Sequence, residues 1–314
     1  MGAARPGASD TMAPIRTVLT FAGLPGWPQD DHAAALSAYR RGLPHLSDAW
    51  PVPPADAIPR GFFETAFAPV LLTDDQPPLF TGYFEPELDG ALTPDARFCH
   101  PLYRMPPPGL ARETRTAIQA GALDGQGLEI AWTDDPVALY FLQVQGSGRL
   151  RLPDGAALRL GYAGQNGLPY QSLGRLLIAR GGIPADQMTA DTLATWLRAD
   201  PARGQALIQE NPSYVFFREL AGLDPADGPI GTLGCPLTPL RSVAVDRSVT
   251  PLGAPVWIET AAHRALMIAQ DTGGAIKGAQ RADLYHGTGT AAGLTAGRLA
   301  APGRMVTLLP TGML

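Results

Sequence analysis

The sequence predicts a mainly β fold in which strands from both ends of the chain build a β-barrel and a smaller β-rich domain is inserted between them. Three observations carry this. The 32 prolines and 36 glycines are spread along the chain without a period and break helical patterns repeatedly, which favours short strands and turns. Apolar segments of strand character occur near both ends, whereas residues 90–210 mix hairpin and helix signals. At 314 residues the chain exceeds the ~100–200 residues of one ordinary domain, so two modest cores are expected.

Taken in order, residues 31–46 read as a helix opened by Asp30 or Asp31, with Leu36 and Tyr39 on one side and a stop near Gly42 and Pro44. A second helix is expected over 60–68. FTGYFEPEL (80–88) reads as a strand with a ligand-ready face, limited by Pro86. The proline-rich stretch 93–113 reads as a connection into a new unit, which places a boundary near residue 89. GRLRL (148–152) and AALRLGYA (156–163) flank Pro153-Asp154-Gly155, a β-hairpin whose turn supplies glycine where positive φ is needed. Helical stretches at 170–180, 190–199 and 202–210 precede strand signals at 213–220, 242–246, 255–260, 264–271 and 305–309. The expected division is therefore 1–88 with 211–314 for the barrel and 89–210 for the insertion.

Composition narrows the function. Hydrophobic residues make up 45% and charged residues 17%, values of a packed globular chain. A net charge of −5 without a Lys/Arg cluster offers no phosphate-neutralising stripe, so no nucleic-acid partner is expected and a neutral, amide-rich ligand fits better. The five histidines and two cysteines lack metal-ligand spacing; neither metal nor cofactor is expected. Cys99 and Cys235 lie in different expected domains and read as two free thiols. No apolar run approaches the ~20 residues of a membrane span, and the N-terminal segment shows neither a signal-peptide apolar run nor a lipidation cysteine.

Three aspartates fall at the ends of expected strands beside glycine turns: Asp246 in AVDRSVTPLG, Asp271 in IAQDTGGAIKG and Asp283 in RADLYHG. Strand ends can present carboxylates into a cleft. Taken singly, each could equally close a turn through backbone N–H groups. Asp271-Thr272-Gly273 matches the aspartic-protease triplet, but the second triplet that chemistry requires is missing. The G-G-x-x-K-G that follows departs from phosphate-loop spacing.

As an ordered set, these segments resemble the membrane-bound lytic transglycosylase A family with its C-terminal three-aspartate (3D) domain. FTGYFEPEL looks like the family's T-G-Y-[YF]-x-P strand. YFLQVQGSGRLRLPDG and RLGYAGQNGLPYQSLG look like its inserted domain, and NPSYVFFRE like its crossing segment. GPIGTLGCPLTPLRSVAVDRSVTPLG and AQDTGGAIKGAQRADLYHGTG complete the run from about residue 20 to 310. The resemblance implies a double-psi β-barrel with an inserted β-domain, a glycan-binding groove between the two, and a 3D region at about 230–312. It implies Asp283 as acid–base catalyst, with Asp246 and Asp271 in support. The implied partner is the peptidoglycan glycan strand, in the periplasm with outer-membrane association, and the implied state is a monomer.

Sugar recognition uses aromatic faces and amide or hydroxyl donors. The candidates are Thr81, Tyr83, Gln143, Gln145, Ser147, Tyr162, Asn166, Tyr170, Asn211 and Ser213, with Gly273, Gly274 and Lys277 in the glycine loop. Such Tyr and Gln residues alternating on strands often simply face solvent. Two rival readings are a non-catalytic peptidoglycan-binding protein on the same fold and a muramidase that uses water. The latter needs a second carboxylate across the cleft.

Overall fold

The computed structural model describes residues 14–313, so most of the N-terminal stretch on which the expectation about export rests lies outside the described residues. In chain order, β1 (Ile15–Val18) leads through α1 (His32–Gly42) and α2 (Pro59–Ala66) to β2 (Phe67–Thr73) and β3 (Leu79–Glu85). Next come β4 (Glu87–Ala91), β5 (His100–Tyr103), α3 (Arg115–Gln119), β6 (Glu129–Thr133), α4 (Pro136–Gln145), β7 (Gly148–Arg151) and β8 (Ala157–Gln165). Three helices, α5 (Leu173–Ala179), α6 (Ala190–Ala199) and α7 (Pro201–Gln209), precede β9 (Val215–Glu219). The chain ends with β10 (Ser242–Val245), β11 (Pro255–Thr260), β12 (Arg264–Asp271), β13 (Arg281–Thr288), α8 (Gly289–Ala296), β14 (Ala300–Ala301) and β15 (Gly303–Pro310).

The strands form two sheets, one of nine strands in the order β1-β2-β15-β11-β12-β10-β13-β3-β14 and one of six in the order β5-β6-β4-β7-β8-β9. Both chain ends thus share a sheet and the middle builds another. The pairing order of the larger sheet runs from β1 to β14 with no closure between those edges among the described residues, so what is shown is a mainly β, two-sheet fold. Pro86 marks the first passage between sheets: a proline cannot donate to a ladder, and β3 ends one residue before it while β4 starts one residue after.

Local chemistry accounts for the helices. Asp31 caps α1 by accepting from the Ala34 N–H, and the side this helix turns inward carries Leu36 and Tyr39 into the main core. That core also holds Trp27, Phe63, Phe67, Trp257 and Leu308. A second cluster, including Leu102, Leu142, Leu150, Leu160 and Phe217, underlies the six-stranded sheet. The β7–β8 hairpin forms with Gly155 at φ 86°, as its turn residues require.

Three expectations need correction. Val215–Glu219 pairs with β8 in the six-stranded sheet rather than joining the barrel strands, so the return passage falls after Glu219 and not at 211. Its buried Phe217 packs in the second cluster, a contact that only the partner strand decides. Gln143 and Gln145 lie on a helix, not on strands: Asp135 caps α4 by accepting from Val137 and Ala138, and Pro136 occupies the first turn. Asp283 sits within β13 rather than at a strand end.

Beside the first passage, Glu85 is fully buried and joins the two sheets. Its carboxylate accepts from Arg149 Nε of β7 at 2.8 Å, from Arg159 Nη2 of β8 at 3.4 Å and from Thr288 Oγ1 at 2.7 Å. The same two guanidinium groups donate to the carbonyls of Asp224, Pro225, Asp227 and Gly228 on the return passage. One ion cluster therefore fastens both passages.

Candidate active site

The register of four neighbouring strands brings two of the three aspartates together. Ala244 of β10 is opposite Asp271 of β12 on one side and Asp283 of β13 on the other. Residues opposite one another on adjacent strands share a face, so the two carboxyls flank the small Ala244 methyl about two strand spacings (~10 Å between Cα atoms) apart. On the far side of β13, parallel β3 aligns Thr81 with Asp283 and Tyr83 with Tyr285.

Each aspartate has its own donor from β3. Thr81 Oγ1 donates to Asp283 Oδ1 at 2.6 Å, and the Tyr83 hydroxyl donates to Asp271 Oδ2 at 2.9 Å. The intervening Gly82 faces the other way. A Cβ there would lie 2.8 Å from the Ala296 backbone of α8 and 2.8 Å from the His286 ring, which is the physical reason for the T-G-Y order. Asp271 is further bound by Thr232, whose N–H and hydroxyl donate to Oδ1 at 2.9 and 2.8 Å.

Desolvation pushes both carboxyls above the usual aspartate range. For Asp283 the rise is opposed by the Thr81 hydrogen bond and the Arg281 charge and reinforced by the Asp271 charge. For Asp271 it is opposed by the donors of Thr232, Thr272 and Tyr83. Both side chains retain some contact with solvent, so they are enclosed yet reachable. The difference lies in their free lone pairs: Asp271 accepts from Tyr83 and from the Thr232 N–H and hydroxyl at 2.8–2.9 Å, with the Thr272 N–H in addition, whereas Asp283 accepts from Thr81 alone.

Asp246 plays another part. It is buried beyond the end of β10, where Oδ1 accepts from the Ser248 N–H and hydroxyl at 3.0 and 2.7 Å and Oδ2 accepts from the Gly278 N–H at 3.0 Å. It ties the 246–250 turn to the loop before β13, and no contact with the other two aspartates occurs. Burial alone would raise its pKa, but these hydrogen bonds and the nearby Lys277 charge outweigh it and hold the carboxyl below the usual range. A depressed folded-state pKa contributes stability above the unfolded pKa of ~3.9, lost as pH falls through the folded value. Asp246→Asn should therefore be less stable than wild type at pH 7, with the gap narrowing below about pH 4. Urea unfolding at several pH values checks this; a gap constant with pH would contradict it.

The candidate sugar ligands divide. Asn166 donates to the carbonyls of Glu113 and Pro212 and accepts from Tyr214 N. Asn211 accepts from the N–H groups of Gln171 and Ser213, and the Ser213 carbonyl accepts from Arg115. Gln143 accepts from Arg115 at 2.6 Å. All four are buried in the inserted part, where the side chains of Asn166, Asn211 and Gln143 bond to the scaffold and Ser213 does so through its backbone N–H and carbonyl. Gln145 Oε1 instead reaches across to the Phe84 N–H of β3 at 3.4 Å. Ser147 is half-buried, and Tyr162 and Tyr170 are exposed aromatic faces on the inserted part. In the glycine loop Gly274 and Lys277 are exposed, whereas a Cβ on Gly273 would meet Ile276 at 2.7 Å.

Sequence reasoning missed Thr232, Ala244 and Tyr285. Ala244 has no chemical signature and only the strand register puts it between the aspartates, while Thr232 sits in a turn far from Asp271 in sequence that the fold brings onto its carboxylate. Tyr285 follows Asp283 by two residues, a same-face spacing on a strand, and its ring lies 5.4 Å from that of Tyr83.

Comparison with known proteins agrees with this arrangement. Residues 79–218 match the MltA specific insert domain and residues 241–309 match the 3D domain. The membrane-bound lytic murein transglycosylase A of Vibrio cholerae is 40% identical over 241 residues, 72% of this chain and 64% of that protein. The Escherichia coli K12 protein of the same name is 35% identical over 69% of this chain and 62% of its own length. The matched stretch thus spans somewhat less than two thirds of these relatives. The crystal structure of MltA from Neisseria gonorrhoeae superposes with a TM-score of 0.84 at 32% identity, covering 98% of this chain and 97% of that one. Escherichia coli MltA with bound chitohexaose superposes at 0.74 and 28% identity, covering 96% and 93%. With both characteristic domains in order and near-complete structural overlap, the chain belongs to the MltA family of membrane-bound lytic murein transglycosylases.

Proposed function

We propose that the protein is a lytic transglycosylase that cleaves the β-1,4 bond between N-acetylmuramic acid and N-acetylglucosamine in peptidoglycan, with Asp283 as its one acid–base group. The observation that carries the reading is the unequal engagement of two carboxyls on one sheet face. Asp283, raised in pKa and held by a single hydroxyl, is free to give a proton. Asp271, held by several donors, is not free to attack a sugar or activate water. Glycosidic cleavage needs the leaving oxygen protonated as positive charge develops on the sugar. If the muramoyl O6 hydroxyl then attacks C1, the same carboxylate can take the O6 proton and reset, with no second carboxylate required. The product is a 1,6-anhydro sugar and no water is consumed.

The likeness to a relative solved with chitohexaose supports a β-1,4-linked amino-sugar strand as ligand. In this reading the strand runs in a groove between the two sheets, past Thr81 and Tyr83 on one side and Gln145, Ser147, Tyr162 and Tyr170 on the other. The nine-stranded sheet curls as a double-psi barrel, a topology supported by the parallel pairs β10/β12 and β13/β3 on either side of the antiparallel pair β10/β13. Barrel residues 14–88 and 220–313 then enclose an inserted domain of 89–219. The reading places the enzyme as a monomer in the periplasm, associated with the outer membrane; the names of its relatives say membrane-bound. No helix among the described residues is long and apolar enough to cross a membrane.

Digestion of purified sacculi with mass analysis of the products tests the reaction. Products lighter by one water than hydrolytic muropeptides are expected, and reducing ends would mean a muramidase. Binding of sacculi without any release would favour a non-catalytic peptidoglycan-binding protein. Thr81→Val tests the proton donor. Its hydroxyl stabilises the charged form of Asp283, so its loss raises the carboxyl pKa further and keeps the acid protonated to higher pH. The alkaline limb of kcat/KM should move up in pH; an unmoved limb would detach Asp283 from that limb.

A further inference from the structure

A cavity of about 550 Å³ opens in the inserted part between β5, β6, α3 and α4, among residues separate from the paired aspartates. This is within the ~300–1,000 Å³ of small-molecule sites. Its buried wall holds Arg115, only 3% exposed, with Tyr103, Tyr140 and Tyr214. The guanidinium donates from Nε to the Asn211 carbonyl, from Nη1 to Gln143 and from Nη2 to the Ser213 carbonyl, at 2.9, 2.6 and 2.6 Å. Its carbon lies 5.4 and 5.1 Å from the ring centres of Tyr140 and Tyr214. Every one of these partners is neutral. Among the described residues Arg115 has no salt bridge, unlike buried Arg159 and the largely buried Arg149 and Arg241, which pair with Glu85 or Asp30.

A guanidinium carries five N–H groups, so three bonds leave one N–H on each terminal nitrogen, the fork that grips a carboxylate. Burying a cation without a counter-charge is costly, and an anion entering the cavity would relieve it. The cavity mouth has the opposite sign: Asp124 is exposed there and Glu129 half-buried. A simple anion would be repelled at that entrance, whereas a ligand with a carboxylate at one end and an ammonium at the other meets a complementary charge at each. We infer that this cavity is a binding site for a small zwitterion, an amino acid or short peptide, whose carboxylate reaches Arg115 and whose ammonium faces Asp124 and Glu129. The site is independent of the glycan-cleaving reading, since it shares no residue with the aspartate pair.

Isothermal titration of the full chain with L-alanyl-L-alanine and D-alanyl-D-alanine tests it. Saturable one-to-one binding of at least one of them is expected, weakened about tenfold or more by amidating the carboxylate or acetylating the amine. Acetate should bind more weakly than the dipeptide. Arg115 is part of the scaffold, so the blocking variant is Ala120→Trp, an exposed position on the cavity wall. It should abolish dipeptide binding while sacculus digestion continues unchanged. Asp124→Asn should narrow the difference between free and acetylated amines. Absence of saturable binding by both dipeptides, binding indifferent to Ala120→Trp, or equal affinity for acetate would each overturn the assignment.

Discussion

Asp283→Asn is expected to lose turnover by about 10²–10⁴-fold or more while keeping its fold. Asparagine nearly matches aspartate in shape and can still accept the Thr81 hydrogen bond at the Oδ1 position. It can neither deliver a proton to the leaving oxygen nor take one from O6. Because one group serves both half-steps in the proposed reaction, nothing nearby replaces it: Asp271 lies across Ala244 and is held by Thr232 and Tyr83. Release of soluble muropeptides from sacculi measures turnover, and circular dichroism with sacculus pull-down checks fold and binding. Digestion near the wild-type rate would remove Asp283 as catalyst and make Asp271 the leading candidate.

The largest effect on stability is expected at Glu85. Glu85→Ala would leave Arg149 and Arg159 buried together without their shared carboxylate, the circumstance in which breaking a buried ion pair costs about 3–5 kcal/mol. Two like charges would then face each other at the junction of the sheets, next to Pro86 and the 224–228 segment they fasten. Glu85→Gln should cost less, because its amide oxygen still accepts one hydrogen bond. Chemical denaturation of the three proteins measures the order. A loss below about 1 kcal/mol for the alanine variant, the size expected of an exposed pair, would show that the cluster is not under strain from burial.

Much of the fold was legible because short-range chemistry dictates it. Asp31 and the apolar spacing of α1, Gly155 in the β7–β8 turn, and the short apolar runs of β11 and β12 each follow from neighbours a few residues away. The α4 helix is hard to read from sequence because Gln143 and Gln145 alternate with Leu142 and Val144 as on a strand; its decisive signals are the Asp135 cap and Pro136. The sequence of β9 reads as a strand but does not say which sheet it joins, since its pattern fits a half-buried strand in either one.

The aspartates show the same division. Sequence alone supplied their identities, the T-G-Y strand and, through the order of its motifs, the family. It could not say that Asp271 and Asp283 flank one alanine while Asp246 serves a loop, nor that the side chains of Asn166, Asn211 and Gln143 bond to the scaffold. Partners of that kind are separated by up to about two hundred residues, as Thr81 is from Asp283. Local preference acts over a turn or a strand length, whereas register between distant strands is set by which apolar face must be buried against which. Residue types and strand character were therefore determined by the sequence directly. Which carboxyls are enclosed and raised in pKa, and which of the two is held by one hydroxyl rather than by several donors, was decided only when both chain ends packed around the same core.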